Sequence, residues 1–245
     1  MHGGPGGAGE MSPLARQLGG RPALVEAMQT KRSIAALIDE LREQLVAHAQ
    51  APAVLVGHSW GAWLSLLFAA RHAELVARLI LISSGVLEDR YAEMMRATRL
   101  ARLTPTEAAE MTRLEAVLAD PAVADKGALF TAYDHLFDKT ENYDAAPEPK
   151  DRFDTDPAIF GSIWPEAAAL RTSGELLRQA ARVRCPVLAI HGDYDPSPPE
   201  GVREPLARVL TAPFEFVVLK NCGHTPWLER HARAELYELL GRELA

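Results

Sequence analysis

A serine bracketed by glycines, in the run GHSWG at residues 57–61, constrains this chain more than any other feature. It follows an apolar stretch at residues 53–56 and precedes residues 62–70, which favour a helix. A G-x-S-x-G run between a strand and a helix is typical of a nucleophile elbow. Glycine is needed on both sides because a Cβ there would collide with neighbouring backbone. We predict that Ser59 is a nucleophile; the alternative is a glycine-rich loop that caps an ordinary helix.

Two later loops carry the residue types that a nucleophilic serine needs. A predicted buried strand at residues 186–190 leads into Asp193 and Asp195, and a second one at residues 214–219 leads to His224. A general base and an orienting acid activate a serine, and the order serine, acid, histidine is itself diagnostic. The sequence therefore predicts a catalytic triad, in which either carboxylate could be the acid.

The opening run MHGGPGG at residues 1–7 predicts an anion-binding loop. Glycines free the backbone to present N–H groups, and a His-Gly-Gly opening is a common half of an oxyanion hole. We predict that Gly4 supplies one N–H donor and that Trp60, which follows the nucleophile, supplies the other. His2 is expected to brace the loop through hydrogen bonds.

These four runs together resemble the α/β-hydrolase superfamily, and the HGGPG run is most similar to the proline iminopeptidase branch and its relatives. The resemblance implies an α/β fold with a mostly parallel sheet flanked by helices and an inserted helical cap. It also implies that Asp195 is the acid, because the resembling families place it three residues after the glycine that ends this strand, here Gly192. Asp193 is then a turn residue that accepts backbone N–H bonds.

The pattern along the chain changes between two regions of the sequence. Strand-like runs alternate with helical ones up to about residue 85 and again from about residue 170, which favours a parallel sheet. Between them strand-like runs vanish and charged residues become frequent. We therefore expect a core at residues 1–85 and 170–245 and a helical cap at residues 86–169.

A substrate pocket is expected between the elbow and the cap. Its candidate residues are Gly3 and His58 from the core and Tyr133, Phe137 and Trp164 from the cap. The alternative for the aromatic residues is ordinary packing between the cap helices. The elbow carries histidine at position 58, where the proline iminopeptidase branch usually has glycine, and no pair of cap residues matches the substrate-gripping Trp/Glu signature of that branch.

Composition excludes several other functions. A net charge of −7 without a basic cluster argues against a nucleic acid partner. No stretch approaches the ~20 apolar residues of a membrane span, and no signal peptide opens the chain. The pair Cys185 and Cys222 is expected to be reduced, as in a cytoplasmic protein, although a disulfide is conceivable. No metal site is expected because histidines and cysteines lack ligand spacing, and no cofactor is implied.

The expected activity is that of a serine hydrolase that acts through an acyl-enzyme on a small ester or a short peptide, in the manner of a proline iminopeptidase. The first alternative is a carboxylesterase or lactonase. An alternative of another class is a non-catalytic binding relative or an inactive truncated form. The substrate and the oligomeric state do not follow from the sequence.

The sequence also predicts a sheet with few strands. About five are expected, a weak one near Pro22 and those that end at Val56, Ile82, Ile190 and Leu219. In the resembling fold the oxyanion loop follows a strand that pairs beside the nucleophile strand, and two more strands come before it. We therefore expect an unpaired side of the nucleophile strand and hypothesise that the N-terminal strands are missing.

Overall fold

A computed structural model describes residues 1–18, 24–120, 123, 126–147 and 156–244 of the chain. Its sheet has four parallel strands in the order β1-β2-β3-β4. The strands are β1 (Ala53–His58), β2 (Val76–Ile82), β3 (Val187–Gly192) and β4 (Phe214–Leu219). They are the four strongest strands that the sequence predicts.

The prediction of a fifth strand near Pro22 is wrong for the residues that the structure describes there. Leu24 and Val25 belong to no strand, whereas Pro22 lies outside the described residues. Val25 is largely exposed, so the apolar residues there are not buried as those of a central strand are. A short apolar run does not by itself distinguish a strand from an extended loop.

Helices precede, connect and follow the strands. They are α1 (Ser12–Gln17), α2 (Ile34–His48), α3 (Trp60–Arg71), α4 (Asp89–Ala101), α5 (Pro105–Ala119), α6 (Gly127–Glu141), α7 (Pro157–Thr172), α8 (Glu175–Ala180), α9 (Glu200–Val209) and α10 (Arg233–Glu243). A short 3₁₀ turn, Ala73–Leu75, leads into β2.

Both faces of the sheet are buried. Leu79 and Leu81 of β2 belong to a hydrophobic cluster that includes residues of α2, α3, α8 and α9. Ile80 and Ile82 belong to a second cluster, with α1 and α10. Because successive side chains of a strand point to opposite faces, this alternation shows that helices cover the sheet on both sides, as the strands' continuous apolar runs predict.

The strand register brings the predicted site loops to one edge of the sheet. His58 pairs with Ile82 at the carboxyl ends of β1 and β2, and Gly192 pairs with Leu219 at those of β3 and β4. Each of the three predicted triad loops follows the carboxyl end of its strand, β1, β3 or β4. Loops that lie far apart in sequence therefore meet beside the elbow.

A helical insertion separates β2 from β3. The described residues between these strands form α4 to α8 and no strand. Thr104 caps α5 and exchanges hydrogen bonds with Glu107, and this capping box stabilises the start of the helix. Helices α5 and α6 bury a small core of their own around Met111, Leu114 and Leu136. Part of the insertion thus has its own packing, whereas α7 and α8 contribute residues such as Ile163 and Leu176 to the core beneath the sheet.

The outer side of β1 has one main-chain partner from the start of the chain. The Met1 amino group donates to the Val56 carbonyl over 2.7 Å, and the His58 N–H donates to the Met1 carbonyl over 3.0 Å. The prediction that this side is unpaired is therefore wrong at its carboxyl end. Farther along, a cleft of about 640 Å³ lies beside Val54 and Leu55, and neither Ser59 nor His224 lines it.

Three further features concern membrane spans, metal sites and disulfides. Across the described ranges, none of the helices is both long and apolar enough to cross a bilayer. The same residues contain no group of three or more His, Cys, Asp or Glu side chains arranged to hold a metal ion. Cys185 and Cys222 are buried free thiols.

Candidate active site

The turn from β1 into α3 holds Ser59 in a strained conformation. Its φ of 52° lies in the region that favours glycine. A Cβ on Gly57 would collide with the carbonyl oxygen of Gly61, and one on Gly61 would collide with that of Met1. The two glycines therefore permit the tight turn and the close approach of the N-terminal loop. Backbone strain of this kind is characteristic of functional sites.

The structure brings Ser59, His224 and Asp195 into one line of hydrogen bonds. His224 Nε2 lies 3.0 Å from Ser59 Oγ, and His224 Nδ1 lies 2.8 Å from Asp195 Oδ2. The Asp195 side chain is buried, and its other oxygen accepts the Ser197 N–H over 2.8 Å. This arrangement can transfer a proton from the serine to the imidazole while a fixed carboxylate orients the ring.

Asp193 lies in the same loop but has a different set of contacts. Its Oδ1 accepts the N–H of Cys222 over 3.3 Å, and its Oδ2 lies 3.6 Å from the Lys220 ammonium. These contacts tie the loop after β3 to the loop after β4. Of the two carboxylates left open by the spacing of the motif, it is Asp195 that contacts the histidine.

Electrostatics favour the charged forms of both Asp195 and His224. Burial by itself lowers the pKa of His224, but the charge and hydrogen bond of Asp195 and the charge of Glu141 outweigh it and raise the pKa to about 9. Burial raises the pKa of Asp195, yet the charges of His224 and His191 hold it below its usual value. The carboxylate therefore stabilises the imidazolium that forms when His224 accepts a proton.

The glycine-rich loop lies against the elbow. A Cβ on Gly3 would come within 3.0 Å of the Ser59 Cβ, so glycine is needed for this approach. The Gly3 N–H donates to Glu10 Oε2 over 2.6 Å and is therefore not available to an oxyanion. Gly4 has a φ of +29°, and a Cβ there would meet open space. Trp60 begins α3, where the first N–H groups have no acceptor within the helix.

Gln29 connects the glycine-rich loop to the side chain of Trp60. It is almost completely buried. Its Oε1 accepts the indole N–H of Trp60 over 2.8 Å, and its Nε2 donates to the carbonyl of His2 over 3.0 Å. His2 also contacts the Gly3 carbonyl through Nδ1, over 3.0 Å. Nothing in the sequence points to Gln29, because a single glutamine in a stretch without periodicity carries no motif signal.

The predicted pocket residues of the cap have packing partners. Trp164 stacks on Trp63 of α3, with ring centroids 6.0 Å apart and an interplanar angle of 11°. Phe137 lies beneath the Arg99 guanidinium, 4.2 Å from it, and contacts Tyr133. Burial raises the pKa of Tyr133 to about 12. These contacts are those expected if the aromatic residues pack the protein interior rather than line a pocket. Phe137 also contacts Arg99, which pairs with Glu141 beside His224.

A buried ion pair connects the helical insertion to His224. Arg99 donates to both carboxylate oxygens of Glu141, over 2.7 and 3.2 Å. Glu141 in turn accepts the His224 N–H at its main-chain oxygen over 2.8 Å, and its carboxylate lies 4.0 Å from His224 Nδ1. Nothing in the sequence points to this pair, because its members lie 42 residues apart and belong to no motif.

His58 lies behind the histidine loop. It is buried, and its Nε2 lies 2.8 Å from the carbonyl oxygen of His224. Its ring lies 4.9 Å from that of His224 and meets the Trp227 ring edge to face at 4.7 Å. The structure thus places His58 as a support of the loop that carries His224, with the ring packed beneath that loop.

Comparison with known protein families identifies the chain. The sequence model described as the alpha/beta hydrolase family matches residues 2–238, and the chain therefore belongs to this family. A comparison with curated proteins found no match.

Several solved structures share the fold at low sequence identity. VinJ is 18% identical with a TM-score of 0.69, and the match covers 100% of this chain and 89% of VinJ. Proline iminopeptidase from Mycobacterium smegmatis is 17% identical with a TM-score of 0.64, covering 100% and 87% of the two chains. Est816, named as an N-acyl homoserine lactone degrading enzyme, is 18% identical with a TM-score of 0.58, covering 100% and 91%.

Proposed function

We propose that this α/β-hydrolase is a serine hydrolase that cleaves a small ester or amide, including short peptides, through an acyl-enzyme. The observation that carries the proposal is the line of hydrogen bonds from Asp195 through His224 to Ser59, with separations of 2.8 and 3.0 Å. Nucleophile, base and orienting acid within hydrogen-bond reach are the signature of nucleophilic catalysis by serine.

In the first half-reaction, Ser59 Oγ attacks the acyl carbon while His224 Nε2 takes the hydroxyl proton. We expect the N–H groups of Gly4 and Trp60 to bind the oxyanion of the tetrahedral intermediate. The bond to the leaving group then breaks, and His224 returns the proton to the departing oxygen or nitrogen. Asp195 keeps the imidazole oriented and stabilises its positive charge throughout.

In the second half-reaction, water attacks the acyl ester on Ser59. His224 removes a proton from the water, and the resulting tetrahedral intermediate uses the same N–H donors. Breakage of the bond to Ser59 Oγ releases the carboxylic acid, and His224 returns the proton to the serine. Serine in the nucleophile position argues against dehalogenase or epoxide hydrolase chemistry, which in this fold uses an aspartate there.

A carboxylesterase or lactonase is the second candidate within this class, and the Arg99–Glu141 pair favours it. A peptidase that recognises a free amino terminus needs an acidic group near the scissile bond that is available to bind the substrate's ammonium group. The Glu141 carboxylate lies close to His224 but already accepts two hydrogen bonds from Arg99. Similarity to both a proline iminopeptidase and a lactone-degrading enzyme accords with either substrate class.

Labelling by a fluorophosphonate probe tests the nucleophile. The wild-type protein should react at Ser59, and Ser59→Ala should not react and should lose about 10⁶-fold in kcat. Ser162→Ala, at an exposed serine of α7, is the matched control and should react as the wild type does. Equal labelling of wild type and Ser59→Ala would contradict the proposal and favour a non-catalytic binding protein.

A substrate panel separates the two candidate activities. Amino-acid naphthylamides report peptidase activity, whereas p-nitrophenyl esters and acyl lactones report esterase and lactonase activity. If Glu141 is committed to Arg99, turnover of esters should exceed that of amides with a free amino terminus. Preferential hydrolysis of prolyl naphthylamide would instead identify an iminopeptidase.

A further inference from the structure

A second carboxylate lies close to the proposed catalytic base. Glu141 Oε2 is 4.0 Å from His224 Nδ1, whereas Asp195 Oδ2 is 2.8 Å from the same nitrogen. A separation of 4.0 Å is too long for a hydrogen bond, so Glu141 acts on the imidazole through its charge. The Glu141 side chain is 4% exposed and that of His224 9%, and water therefore screens this interaction weakly.

Main-chain hydrogen bonds hold Glu141 at this distance. Its carbonyl oxygen accepts the His224 N–H over 2.8 Å. The buried carboxylate of Glu229 ties the same two segments together, since it accepts the N–H groups of Gly223 and Tyr143 over 2.7 Å each. These contacts do not involve the Glu141 carboxylate. A change in the charge of that side chain should therefore leave the helix end and the histidine loop at the same spacing.

Arg99 of α4 supplies a cation to the same carboxylate. It donates to both oxygens of Glu141, over 2.7 and 3.2 Å, and its guanidinium lies over the Phe137 ring. Burial lowers the pKa of Arg99, but the charge and hydrogen bonds of Glu141 outweigh it and raise that pKa above its usual value. Beyond burial, which lowers the pKa of His224, and Asp195, which raises it, Glu141 raises that pKa further and Arg99 lowers it.

Other titratable or charged groups face His224 or this ion pair from the surrounding elements. They are His58, whose ring lies 4.9 Å from that of His224, His191, which lies 3.5 Å from Asp195, and Arg102, Tyr133 and Glu229. Burial raises the pKa of Tyr133 to about 12, so this phenol stays neutral near pH 9. All of these groups stay unchanged when Arg99 or Glu141 is replaced, and they affect every such variant equally.

We propose that Arg99 cancels the charge of Glu141 at the imidazole, so that Asp195 remains the carboxylate that controls the protonation of His224. Both members of the pair act through His224, so they are positioning residues rather than catalytic ones. This inference rests on the proposed serine hydrolase function. A general base works best when its pKa lies near the working pH, and a second, uncompensated carboxylate would hold the proton too tightly. The helical insertion thus adjusts the base of the core.

Replacement of each member should shift the titration of His224 in opposite directions. Glu141→Gln removes the anion and leaves the Arg99 cation uncompensated, so the titration midpoint of the imidazole should fall by about one pH unit. Arg99→Gln leaves the anion uncompensated, and the midpoint should rise by about the same amount. The double variant keeps the net charge and should titrate close to the wild type. Imidazole NMR signals measure these midpoints, and the signal that is absent from His224→Gln belongs to His224.

The pH profile of kcat/KM measures the consequence for catalysis. Because the base must be neutral to accept the serine proton, the acid limb should move to lower pH in Glu141→Gln and to higher pH in Arg99→Gln. Arg96→Gln is the matched control, since Arg96 lies in the same helix and pairs with Glu115 over 2.8 Å but is 48% exposed, so that solvent screens its charge. It should keep the wild-type midpoint. Arg99→Lys keeps the charge and should keep the midpoint as well.

Two results would overturn the inference: an unchanged midpoint in either single variant, or shifts of both in the same direction. A pair that only stabilises the fold would change the unfolding temperature without moving the midpoints apart. If one single variant does not fold, the sign of the shift in the other decides. If neither folds, the double variant decides, since it buries no unpaired charge, and a shift of one pH unit in it would overturn the inference. The NMR midpoints do not depend on turnover, so failure of Ser59 labelling is distinguishable from failure of this inference.

Discussion

The two sides of Ser59 are held in place by different kinds of contact. On the acid–base side, Asp195 and His224 follow β3 and β4, which pair over six positions. On the oxyanion side, Met1 makes two main-chain hydrogen bonds to β1. The rest of that loop is held by side chains, among them Glu10 and Gln29. The acid–base geometry thus depends on strand pairing, to which contacts of Asp193 and His58 with the loop after β4 are added. The oxyanion geometry depends mainly on a few polar side chains.

This difference predicts different sensitivities to substitution. A single side-chain change cannot remove a ladder of backbone hydrogen bonds, so the loops after β3 and β4 should stay in position when their side chains are altered. Replacement of a buried polar side chain such as Gln29 should have a larger effect on its loop, because it leaves the Trp60 indole N–H and the His2 carbonyl unpaired. Each unsatisfied buried group costs about 1–3 kcal/mol.

Asp195→Asn should give the largest effect among variants that keep Ser59. Asparagine cannot stabilise the imidazolium and favours the wrong tautomer of His224, which costs about 10⁴-fold in kcat in the best-studied triad. The fold should remain intact because strand pairing holds the loop. The measurement is kcat on a p-nitrophenyl ester together with the thermal unfolding midpoint. Wild-type turnover in this variant would show that Asp195 is not the orienting acid.

Gln29→Leu should give the next largest effect, and it should displace the oxyanion loop without disturbing the loops that carry Asp195 and His224. Loss of the connection between the His2 carbonyl and Trp60 should misplace the Gly4 N–H, with a fall in kcat of up to about 10²–10³-fold. The rate of fluorophosphonate labelling should fall in parallel. Full activity in a folded Gln29→Leu protein would mean that Gln29 does not position the loop.

Trp60→Phe is the matched control for that prediction. It removes the indole N–H donated to Gln29 but keeps the aromatic ring and the backbone N–H of residue 60. Because α3 fixes that backbone N–H, the loss in kcat should be clearly smaller than in Gln29→Leu. An equal loss in both variants would assign the effect to the indole contact rather than to the His2 carbonyl.

Asp193→Asn should give the smallest effect. Its Oδ1 accepts a backbone N–H from Cys222, and an asparagine oxygen can still accept that bond. The free energy of unfolding should fall by about 1 kcal/mol at most, and kcat should stay close to the wild-type value. Urea denaturation measures the first quantity. A loss of activity as large as that of Asp195→Asn would show that the two carboxylates have the opposite roles.

The sequence by itself determined the sheet and the proposed triad. The four strands are apolar runs bounded by turn residues, and the serine, the acid and the histidine follow three of them in that order. The family resemblance chose Asp195 rather than Asp193 as the acid. Because parallel strands present their carboxyl ends at one edge, local patterns were enough to bring Ser59, Asp195 and His224 together. Local patterns failed at Leu24 and Val25, where a short apolar run forms an extended segment instead of a strand.

Only the tertiary structure decided which polar side chains hold these parts in position. Three of these side chains contact partners far along the chain: Glu10, Gln29 and Glu141. No spacing in the sequence predicts such a pair. A buried polar group must be paired, but its partner is whichever group the packing brings within about 3 Å. For the same reason the stacking of Trp164 on Trp63 could not be foreseen, since an aromatic residue in a cap can equally line a pocket or pack against the core.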